Sequence, residues 1–368
     1  MSSKIFLPGL NGIRAIAALA VLISHINNRM EYFGLPKKEL LDLAGYGVTM
    51  FFTLSGFLIT FLLLKELEKT GDVAIKKFYM RRVLRIWPLY YLYLLMVIFL
   101  EGFSTIQWPI LFYLLMIPNF KNSFNGIIST VVGTKTTSFM VGHYWSLGVE
   151  EQFYAFWPWI VKRGKYLLQI LVLFPVFYVA LKLALRVFHA PYNILVFVNY
   201  TRFGCLAIGA LGAYIYFHHR EKIAFLNHRA IEILAWLFFG VVALNKFHLT
   251  SIIDHEIVSV FTLIIIFNQV NNQRKIISLE NKVFDYLGKI SFGLYVYNPL
   301  VIYLMSLLYM KLTLVNQWYT IPMIYVFVTL AVIAIAHLSY NFYEKPFLKL
   351  KTSFTTIHSA SSRADLVE

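Results

Sequence analysis

Two ionisable residues, Arg14 and His25, lie within the first long apolar stretch of the chain. They are eleven residues apart, so a helix places both on one face, about 16 Å apart along its axis. Such a histidine can act as a general base, and an arginine can stabilise negative charge. Taken alone, the pair is more typical of an arginine that snorkels to the membrane surface and an interfacial histidine. Because Asn11, Asn28 and Arg29 continue the same polar face, the pattern favours a functional role for Arg14 and His25.

A cationic cluster precedes the third apolar stretch and contains Arg82, Arg85, Lys76 and Lys77. Arg82 and Arg85 are three residues apart, so they share a helical face. Guanidinium groups match phosphate oxygens, and a cationic cleft here would suit a phosphorylated ligand such as coenzyme A. Positive-inside anchoring, or contact with lipid headgroups, explains the same residues equally well.

A third cluster combines two adjacent carboxylates with a histidine. His143, Ser146, Glu150 and Tyr154 share one helical face, whereas Glu151 points about 100° away. A carboxylate can orient a histidine or hold an arginine where the dielectric is low. The alternative is the ordinary preference of acidic residues for the first turn of a helix. Glu150 lies deeper than that turn, which weakens the alternative.

Other polar residues give weaker signals. Arg202 lies inside a later apolar stretch and is followed by small residues. Ser55 lacks the Gly-x-Ser-x-Gly context of a nucleophile, so we interpret it as a serine that packs between helices. Cys205 is the single cysteine, and we find no metal-ligand cluster, phosphate-binding loop or internal repeat, so no metal is expected.

The elements that must position these residues are membrane helices. Hydrophobic residues make up 59% of the 368-residue chain and charged residues only 14%, outside the range of soluble domains. Apolar stretches recur along the whole chain, which predicts an all-α integral membrane protein with about ten helices in one bundle and no soluble domain. The expected spans are 10–28, 44–64, 86–103, 143–160, 166–187, 194–217, 230–247, 251–270, 288–310 and 319–342.

The charge distribution predicts the orientation of these spans. The net charge is +15, but Lys and Arg lie in short loops between apolar stretches, which favours a topology signal over nucleic-acid binding. All basic loops share the cytoplasmic side only if the apolar stretch 106–118 does not cross the membrane. Both termini are then cytoplasmic, and residues 104–142 form the longest external segment.

Several stretches of the chain resemble the acyltransferase-3 family of bacterial membrane acyltransferases. The resemblance spans residues 5 to 350. Its motifs, in chain order, are Leu10-Asn11-Gly12-Ile13-Arg14 with His25, Phe51–Phe57, Arg81–Pro88, Trp145–Tyr154, Arg202–Gly209, Leu287–Phe292 and Tyr343–Pro346. We therefore expect an acyltransferase-like domain over 5–350 and a short cytoplasmic tail, expected to be disordered, over 351–368.

The resemblance implies an O-acyltransferase of the bacterial inner membrane that uses acyl-CoA, most simply acetyl-CoA. The acceptor would be a glycan such as O-antigen, exopolysaccharide, capsule or lipo-oligosaccharide. In this interpretation His25 is the general base or carries the acyl group itself, Glu150 or else Glu151 orients it, and Arg14 stabilises the donor or developing charge. The expected donor-binding residues are Arg82, Arg85, Lys76 and Lys77. Those expected to bind the acceptor are His143, Ser146, Tyr154 and Arg202.

One departure from the family pattern concerns Asn298. Many members carry a histidine at this position, and because an amide cannot transfer a proton, we assign no catalytic role to Asn298. Two other classes of function remain open. A transporter also needs polar residues across a bundle, although no inverted repeat is visible. A membrane scaffold would carry scattered polar residues. The polar residues of this chain instead share helical faces, which argues against a scaffold.

Overall fold

The computed structural model describes residues 5–37, 43–102, 109–121, 139–312, 317–357 and 359–360. Within these ranges the chain is a bundle of helices with one two-stranded parallel sheet, so the all-α membrane fold is confirmed. The helices are α1 (Leu10–Asn28), α2 (Ala44–Thr70), α3 (Ile75–Glu101), α4 (Ile110–Leu114), α5 (Trp145–Arg163), α6 (Leu167–Val187), α7 (Tyr192–Thr201), α8 (Phe203–His218), α9 (Arg229–Ala243), α10 (Asp254–Asn271), α11 (Lys282–Lys289), α12 (Ser291–Lys311), α13 (Thr320–Leu338) and α14 (Lys345–Thr352).

Shorter elements join the helices. Turns of 3-10 helix cover Met30–Phe33, Phe139–Tyr144 and Arg220–Asn227, and a π-helical segment covers Ser339–Glu344. Strand β1 (Ile5–Phe6) pairs in parallel with strand β2 (Ser359–Ala360), so the two ends of the described chain meet beside the bundle.

Helix α2 lies at the centre of the bundle and packs against α1, α5, α8 and α10. Two glycines set its distance from α8. A Cβ atom on Gly56 would lie 2.0 Å from the carbonyl oxygen of Leu206, and one on Gly209 would lie 2.0 Å from that of Thr53. Small residues of this kind allow membrane helices to approach backbone to backbone. The central pair of helices therefore leaves no room for a side chain at these contacts.

The number of spans differs from the sequence prediction. Within the described ranges, seven helices are long and apolar enough to cross a membrane, and the bent pair Arg220–Asn227 and Arg229–Ala243 raises the number to eight. The predicted count of ten is not confirmed. Helices do form at 143–160 and 251–270, but α5 and α10 fall outside the set of candidate spans. Both carry polar groups: α5 contains Glu150 and Glu151, and α10 contains Asp254 and Glu256.

The predicted external segment 104–142 lies mostly outside the described residues. Its described part includes α4, a helix of five residues, which is too short to cross a bilayer. At the other end of the chain, the residues that we assigned to the tail begin on the bundle. The Arg81 Nη1 atom donates a hydrogen bond to the carbonyl oxygen of Phe354 (2.9 Å), and Thr356 donates to Glu66 (3.2 Å). Residues 361–368 lie outside the described residues.

Candidate active site

Three adjoining cavities run through the bundle, and most of the residues selected from the sequence line them. We name the end that holds Arg82 and Arg85 the arginine end, and the end that holds His25 and Arg29 the histidine end. Helix α1 runs from the first to the second, because it carries Arg14 on its second turn and His25 on its last. Its polar face, predicted from spacing, therefore borders the cavities at both ends.

The arginine-end cavity, of about 370 Å³, is the largest of the three. Arg14, Arg82 and Arg85 line it, and Lys289 and Lys351 add two further cations. Arg81 also borders this cavity, but its Nη2 atom is paired with Glu66 at 3.1 Å. The remaining cations of this wall are therefore in excess of the carboxylates Glu66 and Asp285 that share it. Such a cavity suits a ligand with several phosphate groups.

The middle cavity, of about 130 Å³, is narrower and has mixed walls. Arg14, Arg82 and Arg85 border it as well as the arginine-end cavity, so the two cavities adjoin at these guanidinium groups. Its other polar groups are Ser55, Ser146, Glu150, Tyr154, Ser291 and Tyr295. Its apolar walls include Val48, Phe51, Phe52, Ile86, Leu147 and Phe292.

Hydrogen bonds fix the polar groups of the middle cavity. Ser55 donates to the Glu150 Oε1 atom at 2.8 Å, so the serine that we interpreted as a packing residue faces the cavity. Ser146 and Tyr295 lie 2.6 Å apart through their hydroxyl oxygens. The carbonyl oxygen of His143 lies within hydrogen-bond distance of both hydroxyls, at 3.2 and 2.9 Å, so one hydroxyl donates to this carbonyl while the other donates across the pair. The predicted face of α5 therefore joins helices α2 and α12 through polar contacts.

The histidine-end cavity, of about 320 Å³, contains the candidate base. His25, Arg29, His143 and Arg202 line it, together with Trp145 and Tyr200. The rings of His25 and His143 meet edge to face, with 6.4 Å between their centroids. Val48 and Tyr295 border both this cavity and the middle one. The three cavities therefore form a path that links the cationic cluster of α3 to His25.

A contact that sequence reasoning missed orients His25. Its Nδ1 atom lies 2.6 Å from the Oδ1 atom of Asn298, which is fully buried on α12. The Asn298 amide nitrogen donates to the carbonyl oxygens of Leu294 (3.1 Å) and Tyr295 (2.6 Å). The carbonyl of Tyr295 is available because Pro299, four residues later, has no N–H to donate. The Asn-Pro pair thus turns the amide oxygen toward His25.

This arrangement assigns the tautomer of His25. Because the Asn298 nitrogen is engaged with two carbonyls, its oxygen must face the imidazole, and an amide oxygen only accepts hydrogen bonds. Nδ1 of His25 therefore carries the proton and donates it to Asn298. A neutral His25 then has an unprotonated Nε2 atom, the form a general base requires. Asn298 is therefore a positioning residue, a role that we did not assign to it from the sequence.

The two acidic candidates occupy different places. Glu150 lines the middle cavity and is bonded to Ser55, while the group bonded to the Nδ1 atom of His25 is Asn298. Glu151 lies on another face of α5, with its Oε2 atom 3.5 Å from the Trp87 indole nitrogen. Its Oε1 atom is buried without a hydrogen-bond partner among the described residues. The geometry thus favours Asn298 over both carboxylates as the group that orients His25.

The basic residues also separate. Arg82 and Arg85 border two cavities, whereas Lys76 and Lys77 are exposed and line none of the three. Lys351 and Lys289, which we did not select from the sequence, take their place on the wall of the arginine-end cavity. The part of the chain that the structure describes contains no group of His, Cys, Asp and Glu that could hold a metal ion.

The bundle and its polar path define an all-α, multi-pass membrane protein with buried polar chemistry. Comparison with known families then identifies the class. Residues 7–340 match the acyltransferase-3 family, which is described as an acyltransferase domain, and the chain belongs to that family. The resemblance drawn from the sequence motifs is therefore confirmed.

Curated relatives are similar to the chain at moderate identity. A Staphylococcus aureus (strain COL) protein, named provisionally as an O-acetyltransferase, is 29% identical over 94% of this chain. The peptidoglycan O-acetyltransferase OatA of Listeria monocytogenes is 29% identical over 46% of this chain and 28% of its own length. A Bacillus subtilis protein, YrhL, named provisionally as a peptidoglycan O-acetyltransferase, is 29% identical over 45% of this chain and 25% of its own length.

The alignment with the Staphylococcus aureus protein covers 58% of that relative, so the chain spans little more than half the length of this relative. No solved structure matches the chain.

Proposed function

We propose that this chain is a membrane O-acyltransferase that moves an acyl group, most simply acetyl, from acyl-CoA to a hydroxyl of a glycan. The observation that carries the proposal is the path of adjoining cavities from Arg82 and Arg85 to His25. A phosphorylated donor and a general base are needed at its two ends, and each end carries the matching residues. The family match and the names of the relatives support the reaction class.

The donor enters at the arginine end. Its phosphates are held by Arg14, Arg82 and Arg85, with Lys289 and Lys351 at the wall of the same cavity. The acyl-bearing arm passes through the middle cavity, whose apolar walls suit a flexible chain and whose polar groups include Ser55 and Glu150. The thioester then reaches the junction bordered by Val48 and Tyr295.

The acceptor enters the histidine-end cavity, whose wall includes Trp145 and Tyr200. The unprotonated Nε2 atom of His25 takes the proton of one acceptor hydroxyl, while Asn298 holds the Nδ1 proton. The hydroxyl oxygen attacks the thioester carbonyl carbon, the new ester C–O bond forms, and the C–S bond breaks. The coenzyme A thiolate leaves and takes up the proton that the His25 Nε2 atom accepted, so His25 returns to its neutral form. His143 lies beside His25 and borders the same cavity.

The excess of Lys and Arg at the arginine end supports a cytoplasmic location for that end, by the positive-inside rule. The acceptor then lies at the external side of a bacterial plasma membrane, where cell-surface glycans such as peptidoglycan, capsule or O-antigen are found. Both termini are cytoplasmic in this proposal, because strand β1 and helix α14 both line the arginine-end cavity.

The test uses the full chain in nanodiscs with radiolabelled acetyl-CoA. Native protein should bind acetyl-CoA and hydrolyse it slowly without acceptor. His25→Ala should bind it normally and lose turnover by about 100- to 10,000-fold, the usual contribution of a general base. Arg85→Gln should lose binding, because a guanidinium at the phosphate site is removed. Lys77→Gln is the matched control, since Lys77 is exposed and lines none of the three cavities.

Retained turnover in His25→Ala would remove His25 as the base. If no variant, nor the native chain, binds acetyl-CoA or a longer acyl-CoA, the donor assignment is wrong. The same polar path would then favour the transporter interpretation.

A further inference from the structure

The described lining of the histidine-end cavity carries cationic groups and no carboxylate. Its described lining contains the guanidinium groups of Arg29 and Arg202 and the imidazoles of His25 and His143, and none of the described lining residues is an Asp or Glu. A partly buried guanidinium group is stable when oxyanions complement it. The described walls of this cavity supply aromatic rings and backbone carbonyls, but no negative charge.

The backbone holds Arg202 in a fixed position at the wall. The residue lies between α7 and α8 with φ of 43°, in the left-handed region, which is costly for a residue with a side chain and is often found at ligand clamps. Its Nη1 atom donates to the carbonyl oxygen of Gly45 at 2.8 Å, and its guanidinium carbon lies 5.0 Å from the centre of the Trp145 ring. The side chain is therefore preorganised before any ligand arrives.

Part of this guanidinium group remains unused. Its other hydrogen bonds go from Nε to the carbonyl oxygen of Asn199 (3.4 Å) and from Nη1 to Thr49 (3.5 Å). The Nη2 atom donates to no acceptor among the described residues. Glu256, on the neighbouring helix α10, is already engaged, because Lys182 donates to both of its oxygens at 2.7 and 2.8 Å.

His143 provides a second, independent sign of a ligand in this cavity. It is 6% exposed, and neither ring nitrogen makes a hydrogen bond of normal geometry to a described residue, although the backbone of Val296 interacts with the ring. A buried imidazole without such bonds is costly, and a polar ligand would supply the missing contacts. The cavity thus presents unused hydrogen-bonding groups on two of its walls, one from Arg202 and one from His143.

We infer that the acceptor carries an oxyanion, a carboxylate or a phosphate, on or beside the sugar that is acylated. Arg202 binds this group, so that a neighbouring hydroxyl is presented to His25. The inference rests on the proposed function, because it takes the histidine-end cavity as the acceptor site. It narrows the acceptor class to acidic glycans, such as those with uronic acids or phosphate substituents, and excludes purely neutral polymers.

The test measures binding of three matched sugars to the full chain in nanodiscs. The probes are methyl glucoside, methyl glucuronide and a methyl glucoside phosphorylated on its primary hydroxyl. The native chain should bind at least one anionic sugar about ten- to a hundredfold more tightly than methyl glucoside, the value expected for charge-assisted hydrogen bonds. Preference for the glucuronide assigns a carboxylate as the natural group, and preference for the sugar phosphate assigns a phosphate.

The variants use the ratio of the two dissociation constants, which does not change when part of the sample is unfolded. Arg202→Gln should bring the ratio of neutral to anionic dissociation constants close to one. Lys311→Gln should leave it as in the native chain, since Lys311 is exposed at the end of α12 and lies outside the cavity. Native protein that shows no preference for either anionic sugar overturns the inference, as does a preference that survives Arg202→Gln.

Acetyl-CoA hydrolysis is measured on the same native preparation. Hydrolysis without any preference for anionic sugars rejects the acidic acceptor and leaves the proposed function standing. Preference for anionic sugars without acetyl-CoA binding or hydrolysis supports the anion site and rejects the proposed donor. The two failures are therefore distinguishable.

Discussion

At the scale of residues, the main finding is that an amide positions the candidate base. The pattern of Arg14 and His25 made the histidine a candidate, but the sequence did not indicate what would hold its ring. We selected Glu150, because a carboxylate is the usual partner of a catalytic histidine. The partner is Asn298, whose orientation depends on the carbonyl group that Pro299 leaves unpaired. The Asn-Pro pair within a helix was the signal that could have identified it.

Replacement of Asn298 tests this positioning role. Asn298→Leu removes the acceptor of the Nδ1 proton and lets His25 change tautomer or rotate. We expect kcat for acyl transfer to fall about 10- to 100-fold, as when an orienting partner is lost, with little change in the donor KM. Asn298→Asp keeps an oxygen that accepts the Nδ1 proton and should recover much of the activity.

A purely structural role would give a different result. In that case Asn298→Leu and Asn298→Asp would lose activity in parallel with the amount of folded protein, and the fraction that remained folded would have the native kcat. The positioning role and the structural role are separated by measuring kcat per folded molecule. The number of folded molecules is taken from the number of acetyl-CoA binding sites.

At the scale of elements, the site depends on the close approach of α2 and α8. Gly56→Ala places a methyl group 2.0 Å from the Leu206 carbonyl oxygen, so the helices must separate. We expect a loss of about 2 kcal/mol or more in the free energy of unfolding, the usual range for overpacking. The Gly56→Ala variant should have a lower melting temperature in detergent than the native chain.

Gly240→Ala is the matched control for this substitution. Gly240 is a helical glycine on α9, and nothing lies within 4 Å of an added Cβ atom. Alanine there should leave stability unchanged or raise it by up to about 1 kcal/mol, because alanine favours the helix. Equal melting temperatures for the two variants would show that the α2–α8 contact does not limit stability.

The sequence predicted the helices of this bundle better than their breaks. Apolar runs located α1 and α6 to within one residue at each end, because long hydrophobic segments have few alternatives. They also located the start of α2, which continues six residues past the predicted end at 64. The interruption at Arg202 between α7 and α8 was not predicted. Its cause is a left-handed residue whose side chain bonds to Gly45 on another helix, a tertiary contact that no local pattern encodes.

At the scale of the whole molecule, the helix that supplies much of the site is among those that least resemble membrane spans. Helix α5 carries Glu150, Glu151, Lys162 and Arg163, and it falls outside the seven candidate spans of the described residues. The same polarity lines the path between the two ends of the bundle. Composition therefore predicted the class of fold. It did not give the number of crossings, because that number depends on helices such as α5, whose polar residues line the site.

The measurement that tests the central claim most directly is acyl transfer across a sealed membrane. The full chain is reconstituted in proteoliposomes, with radiolabelled acetyl-CoA on the side of the arginine end and an acidic glycan acceptor on the other side only. His25→Ala liposomes, loaded in the same way, control for leakage. We predict label on the acceptor with native protein and none with His25→Ala. Transfer that occurs only when donor and acceptor share one side would contradict a path that joins the two ends of the bundle.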